Sequence, residues 1–157
     1  MTDPVTIKIF RFDPYTDKEP RYQTYQVTPD PGMTVLLALF YILENVDKTL
    51  AFRYSCRSAV CGSCAMHVNG RNILACETQL SSLGSEVTIE PLPHLSVIKD
   101  LVVDMTPFWD KYERVRPYLI TLTKDPEKER LQSIADRKKI DEYIDCILCA
   151  CCYSSCS

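Results

Sequence analysis

Cys56-Arg57-Ser58-Ala59-Val60-Cys61-Gly62-Ser63-Cys64-Ala65-Met66-His67-Val68-Asn69-Gly70-Arg71-Asn72-Ile73-Leu74-Ala75-Cys76 sets four cysteines in one short segment. Three of them form a C-x4-C-x2-C run. A single wrapping loop can turn those three thiols toward one point, and Gly62 permits the close backbone approach that a side chain would block. The fourth cysteine stands further along, beyond Asn69-Gly70, the favoured pair for a two-residue type I′ hairpin turn. The flanking stretches Ala65 to Val68 and Arg71 to Leu74 alternate well enough to pair. Counting back from the turn sets Val68 against Arg71 and Cys64 against Ala75, so the register predicts Cys76 beside Cys64.

Outward from this segment the chain reads as a small mixed α+β unit. Val5, Ile7 and Ile9 alternate with Thr6 and Lys8, the pattern of a half-buried strand from Val5 to Phe12. A second strand runs from about Tyr22 to Val27, and Asp13 to Asp17 supply turn chemistry between the two. Pro29, Pro31 and Gly32 end the sheet segment. From Thr34, a candidate N-cap, Leu36, Leu39, Phe40 and Leu43 recur at helical spacing. Val87 to Glu90 reads as one more short strand, closed by Pro91 and Pro93. This order fits a mixed sheet wrapped on one helix, as in a β-grasp arrangement.

Leu95, Ile98, Leu101, Val102 and Met105 predict a further helix, and Thr106-Pro107 marks a domain junction, giving units of residues 1–105 and 106–157. The second unit reads as helical. Ser133 and Asp136 resemble a capping pair, and Ile140, Tyr143, Ile144 and Ile147 follow helical spacing. The mixed charges from Lys124 to Lys139 predict a solvated face.

Composition narrows the function. A chain of 157 residues with 46% hydrophobic and 25% charged content is globular material. Its net charge of -3 and lack of a basic stripe argue against nucleic-acid binding. The apolar run from Val35 to Leu43 is too short to span a bilayer, and Met1-Thr2-Asp3-Pro4 lacks an export pattern. The expectation is a soluble, intracellular chain with no membrane span of its own.

Nine cysteines are the anomaly, and they fall in two groups. The odd count, the lack of an export signal and the adjacent pair Cys151-Cys152 argue against a disulfide framework. Cys56, Cys61, Cys64 and Cys76 have the plant-ferredoxin spacing for a 2Fe-2S cluster. Four cysteines can also hold structural zinc, but such sites usually combine two short-spaced knuckles and only one is present here. Ser55, Ser63 and nearby backbone amides can donate to cluster sulfurs, though as surface loop serines the two need do nothing, and Arg53 and Arg57 can either offset an anionic cluster or face solvent. Cys146, Cys149, Cys152 and Cys156 form C-x2-C-x2-C-x3-C, the bacterial-ferredoxin run in which the fourth cysteine ligates a different cluster from the first three. Cys151 is surplus in that register, either as a buried non-ligand thiol or as a ligand in an alternative one. His67 and His94 read as surface or hydrogen-bonding groups, and no residue is needed as a catalytic acid, base or nucleophile.

A plant-type site followed by a bacterial-type site resembles the iron-sulfur subunit of succinate dehydrogenase and quinol-fumarate reductase. Tyr54-Ser55-Cys56-Arg57, Cys61-Gly62-Ser63-Cys64-Ala65-Met66, Leu74-Ala75-Cys76, Pro93-His94, Val97-Ile98-Lys99-Asp100-Leu101 and Cys146-Ile147-Leu148-Cys149-Ala150-Cys151-Cys152 all read like that family. Ser58-Ala59 departs from it, standing where an acidic residue and glycine are common, which bears on cluster potential rather than on ligation. The resemblance implies an N-terminal β-grasp domain with the 2Fe-2S cluster and an α-helical, bacterial-ferredoxin-like domain with 4Fe-4S and 3Fe-4S clusters. By the same resemblance Cys146, Cys149 and Cys152 hold the 4Fe-4S cluster and Cys156 the 3Fe-4S cluster. The remaining ligands are absent from these residues, so the chain is expected to be an N-terminal fragment with an incomplete helical domain. The implied role is electron relay between an FAD-containing flavoprotein subunit, where succinate and fumarate interconvert, and quinone at a membrane-anchor subunit. The implied location is peripheral, on the inner face of the respiratory membrane. A freestanding two-domain ferredoxin and a zinc-stabilised interaction module are the rival readings.

Overall fold

The computed structural model describes residues 3–124 and 126–156. Strands β1 (Val5–Arg11) and β2 (Arg21–Val27) pair antiparallel, with Val5 opposite Val27 and Ile7 opposite Tyr25. Alternation turns Val5, Ile7 and Ile9 inward, as the sequence pattern requires of a half-buried strand. The cysteine-bearing hairpin is formed by β3 (Ala65–Val68) and β4 (Arg71–Leu74). Val68 faces Arg71 and Ala65 faces Leu74, and the Ala75 amide donates to the Cys64 carbonyl at 3.1 Å. The predicted register is therefore the observed one. Asn69 and Gly70 both have positive φ, 47° and 80°, as a type I′ turn demands.

Strand β5 (Glu86–Glu90) joins the two halves, running parallel to β1 and antiparallel to β3. The sheet order is β2-β1-β5-β3-β4. Helix α1 (Val35–Asn45) lies on this sheet and buries Val35, Leu36, Ala38, Leu39 and Ile42. Thr34 caps it, its hydroxyl accepting from the Leu37 amide at 3.3 Å. Truncating Leu39, which is fully buried, is worth about 2–5 kcal/mol in a core of this kind.

One buried cation organises the rim of the sheet. Arg11 lies only 3% exposed and donates to Asp100 at 3.0 Å, Asp47 at 2.6 Å, Thr49 at 2.7 Å and the Tyr25 hydroxyl at 2.7 Å. Burial alone would lower its pKa, but the hydrogen bonds and charges of Asp100 and Asp47 hold it above the ordinary value.

The helix expected between Leu95 and Met105 is instead a small hairpin of β6 (Val97–Lys99) and β7 (Val102–Val103). Its turn is strapped to the end of β1 and to the segment after α1. The Asp100 carboxylate accepts from Arg11, from the Phe12 amide at 3.0 Å and from the Ala51 amide at 2.9 Å, while its own amide donates to the Phe12 carbonyl. These bonds hold Asp100 at φ 47°, which no helix interior tolerates.

Helix α2 (Thr106–Val115) begins at the anticipated Thr106-Pro107, with proline in its first turn. Two short helices follow, α3 (Ile134–Lys138) and α4 (Asp141–Ile144). Ser133 caps α3 by accepting from the Asp136 amide at 3.1 Å. The helical spacing read through Ile147 stops at Ile144, because Leu148 and Ala150 take positive φ of 55° and 63° and curl the chain out of helix. Among the described residues no helix is long and apolar enough to cross a membrane.

Candidate metal centre

The loop between α1 and β3 wraps around sulfur. Arg57, Ala59 and Gly62 have positive φ of 58°, 56° and 70°, and such alternation turns successive peptide N–H groups to one side as an anion-binding nest. Cys56 Sγ accepts from the amides of Ser58, Val60 and Cys61 at 3.3–3.4 Å. Cys61 Sγ accepts from the Cys56 amide at 3.4 Å, and Cys76 Sγ from the Ala59 amide at 3.3 Å. A bond from Ala59 to Cys76 closes the loop over the hairpin end, so residues seventeen positions apart share one site.

Electrostatics follow from this cradle. Donation from the Cys56 backbone, then from the Ser63 hydroxyl and amide, pulls the Cys61 thiol down to about 6. Cys64 is buried, and desolvation pushes its thiol upward, with Cys76 and Cys61 close enough to add to the effect. None of the nine cysteines is in a disulfide. Among the described residues no group of three or more His, Cys, Asp or Glu side chains gathers around a point suited to one metal ion. Amide-to-sulfur bonds instead join Cys56 with Cys61 and Ala59 with Cys76 around the loop. Four soft sulfur donors with inward-facing amides form a donor set that fits an anionic iron-sulfur cluster. Arg57 stacks over Phe40 and Tyr54 at 4.8 and 5.5 Å, so its charge is held beside the loop.

The second cysteine group is less enclosed. Cys149 and Cys151 are half-buried, whereas Cys146, Cys152 and Cys156 are exposed. Cys149 and Cys152, and Cys64 of the first group, lie near enough to Cys151 to oppose its ionisation. Burial, then the adjacent Cys149, pushes the Cys151 thiol up to about 12, the behaviour of a packed thiol. Ala150 is buried among Leu92, Leu95, Val103 and Met105, and Cys151 packs against the same cluster together with Ala65.

The two cysteine loops touch. A Cβ placed on Gly62 would lie 2.7 Å from both Cα and Cβ of Cys149. Beside this contact is a cavity of about 200 Å³ lined by Arg53, Cys61, Met105, Trp109 and Leu148. On the other side of Cys64, Asn72 Nδ2 donates to the Cys151 carbonyl at 3.0 Å and lies 2.8 Å from the hydroxyls of Ser154 and Ser155. Asn72 Oδ1 in turn lies 2.6 Å from His67 Nδ1. Sequence reasoning missed Asn72, because its partners lie at the far end of the chain and no local pattern announces them.

Comparison with known proteins places this geometry in context. A family model described as the 2Fe-2S iron-sulfur cluster binding domain matches residues 6–110. The succinate dehydrogenase iron-sulfur subunit of Paracoccus denitrificans is 49% identical over 149 residues, covering 94% of this chain and 58% of the relative. That of Coxiella burnetii is 46% identical over 154 residues, covering 97% and 65%. A chain from the Mycobacterium smegmatis Sdh1 complex in the apo form superposes with a TM-score of 0.88 at 28% identity, covering 99% of this chain and 64% of that one. The chain therefore spans less than two thirds of the length of the curated relatives it matches.

Proposed function

Because the chain belongs to the 2Fe-2S iron-sulfur cluster binding domain family, we propose that it serves as the electron-relay portion of a succinate dehydrogenase or fumarate reductase iron-sulfur subunit. The observation that carries this reading is the closed cradle in which Ala59 reaches Cys76 and the amides of the loop face Cys56 and Cys61. Cys56, Cys61, Cys64 and Cys76 would hold the 2Fe-2S cluster. Such a cluster supplies one-electron chemistry, while the chain supplies ligands, donors and exclusion of water. Amide and Ser63 donation spreads the negative charge of the thiolates, so the loop tolerates a reduced centre without a cationic partner at each sulfur.

In this proposal Cys146, Cys149 and Cys152 ligate a 4Fe-4S cluster and Cys156 a 3Fe-4S cluster, with the remaining ligands supplied outside these residues. Residues 1–105 form a β-grasp domain, and residues 106–157 belong to a helical bacterial-ferredoxin-like domain. The partners are an FAD-containing flavoprotein subunit and a membrane-anchor subunit with quinone, and the location is peripheral on the inner face of the respiratory membrane. Resemblance to the dehydrogenase subunits at nearly half identity supports that assignment over a freestanding ferredoxin. The test is anaerobic purification of the complex with succinate-dependent EPR. A rhombic 2Fe-2S signal that appears on adding succinate, in a preparation containing a flavoprotein, is expected. Colourless protein holding zinc, or an iron-sulfur protein that purifies without flavoprotein, would reject it.

A further inference from the structure

We propose that Asn72 is a positioning residue for electron passage between the two cysteine-bound centres, holding the Cys149–Ser155 segment against the hairpin that carries Cys64 and Cys76. The inference rests on the electron-relay reading above and adds to it a residue that ligates nothing.

The geometry is specific. Asn72 sits on β4, on the hairpin whose far end brings Cys64 and Cys76 together. Its amide nitrogen has two hydrogens and faces three oxygens, those of the Cys151 carbonyl, Ser154 and Ser155. Cys151 lies between the ligand candidates Cys149 and Cys152 and packs against the same apolar cluster as Ala65, the residue after Cys64. A bond to the Cys151 carbonyl therefore fixes the second loop at its middle. His67, directly opposite Asn72 across the hairpin, places Nδ1 at 2.6 Å from Asn72 Oδ1. With its proton on Nδ1, His67 donates to that oxygen and leaves the amide N–H groups aimed at Cys151.

A second contact sets the same spacing independently. Gly62 adjoins Cys61, and any side chain there would meet the Cys149 backbone at 2.7 Å. Backbone against backbone at Gly62 and amide against carbonyl at Asn72 bracket Cys64, so the two thiol groups are held in register from both sides. The passage moves one electron from the first centre, which is oxidised, to the second, which is reduced, with no bond formed or broken and no proton required. Its rate falls as the gap between the two centres widens, so it depends on how closely the two loops are held.

The test uses the cluster-loaded complex and three variants. Asn72→Asp preserves shape and can still accept from His67 and the serines, but cannot donate to the Cys151 carbonyl. Asn72→Ala removes every contact, and Gly62→Ala opposes the approach of Cys149. The readouts are the EPR relaxation enhancement of the 2Fe-2S signal by the second centre, the single-turnover rate between the centres, and hydrogen exchange of the amides from Cys149 to Ser155. Both Asn72 variants should keep the g values of the 2Fe-2S signal, while all three variants should lose relaxation enhancement and slow the transfer measurably. Faster exchange across Cys149–Ser155 should accompany the loss. Unchanged relaxation and rate in both Asn72 variants would overturn the role assigned to Asn72. No relaxation enhancement in the unaltered complex would overturn the relay itself. If Asn72→Ala does not accumulate, Asn72→Asp decides.

Discussion

Arg11 Nε stands 3.0 Å from Asp100 Oδ1, two buried side chains 89 positions apart. The same guanidinium serves Asp47, Thr49 and Tyr25, so one residue ties β1 to the segment after α1 and to the turn of the β6–β7 hairpin. Arg11→Met should therefore cost more than the packing it alters, because it leaves Asp47 and Asp100 short of their cation in a desolvated site. A loss of about 3–5 kcal/mol is expected in urea denaturation. A loss below 1 kcal/mol would mean that water replaces the guanidinium.

Asp47 should contribute to the loss of stability in acid. Burial would raise its pKa, but donation from Thr49, Tyr25 and Arg11 holds it well below the ordinary 3.8. A carboxylate depressed on folding contributes stability that is whole above its unfolded pKa and drains away as pH falls toward the folded one. Stability should decline below about pH 4, and Asn at position 47 should flatten that decline while lowering stability near neutrality. Denaturant midpoints between pH 2.5 and 7 for Asp47→Asn and the parent measure both effects.

Ala59 is held at φ 56° within the cysteine loop, where a Cβ crowds the backbone. Ala59→Gly should stabilise the protein by up to about 1 kcal/mol, the left-handed strain being partly offset by added freedom in the unfolded chain. Because the Ala59 amide is what reaches Cys76, the cluster should assemble in the same yield. Thermal melts with iron analysis check both parts, and a lower melting temperature would count against strain at this position.

Cys76→Ala removes one of four thiols and the acceptor of the Ala59 amide. Metal ligation contributes to folding, so the variant should lose the visible chromophore and also melt lower. Cys151→Ala should keep the chromophore, since Cys151 behaves as a packed thiol. Absorption spectra and iron-to-protein ratios distinguish the two.

Legibility differed along the chain for physical reasons. The register of β3 and β4 could be counted from Asn69-Gly70, because a two-residue turn leaves only one way to pair the strands beside it. Helix α1 was equally plain, with Thr34 at its start and one apolar face. Leu95 to Met105 misled because its apolar spacing suits a helix, while the force that bends it comes from Arg11 at the other end of the chain. In the candidate centre, the cysteines announced themselves by spacing. Asn72 did not, since an asparagine on a short strand has no periodicity to read and its partners are nearly eighty positions away.

The parallel neighbours β1 and β5 carry a kinetic consequence. Ile7 cannot meet Val87 until everything between them has been gathered in, whereas β3 and β4 meet across two residues. Hairpins of this kind close in about 1–10 μs, and pairings of long sequence separation form much later. Cys64 and Cys76 should thus be neighbours while the sheet is still open, and nascent protein would offer a half-built thiol cage before it has a finished interior. In φ-value terms, substitutions at Gly70 should slow folding and those at Val87 chiefly hasten unfolding, leaving an interval in which metal delivery and chain folding compete for the same cysteines.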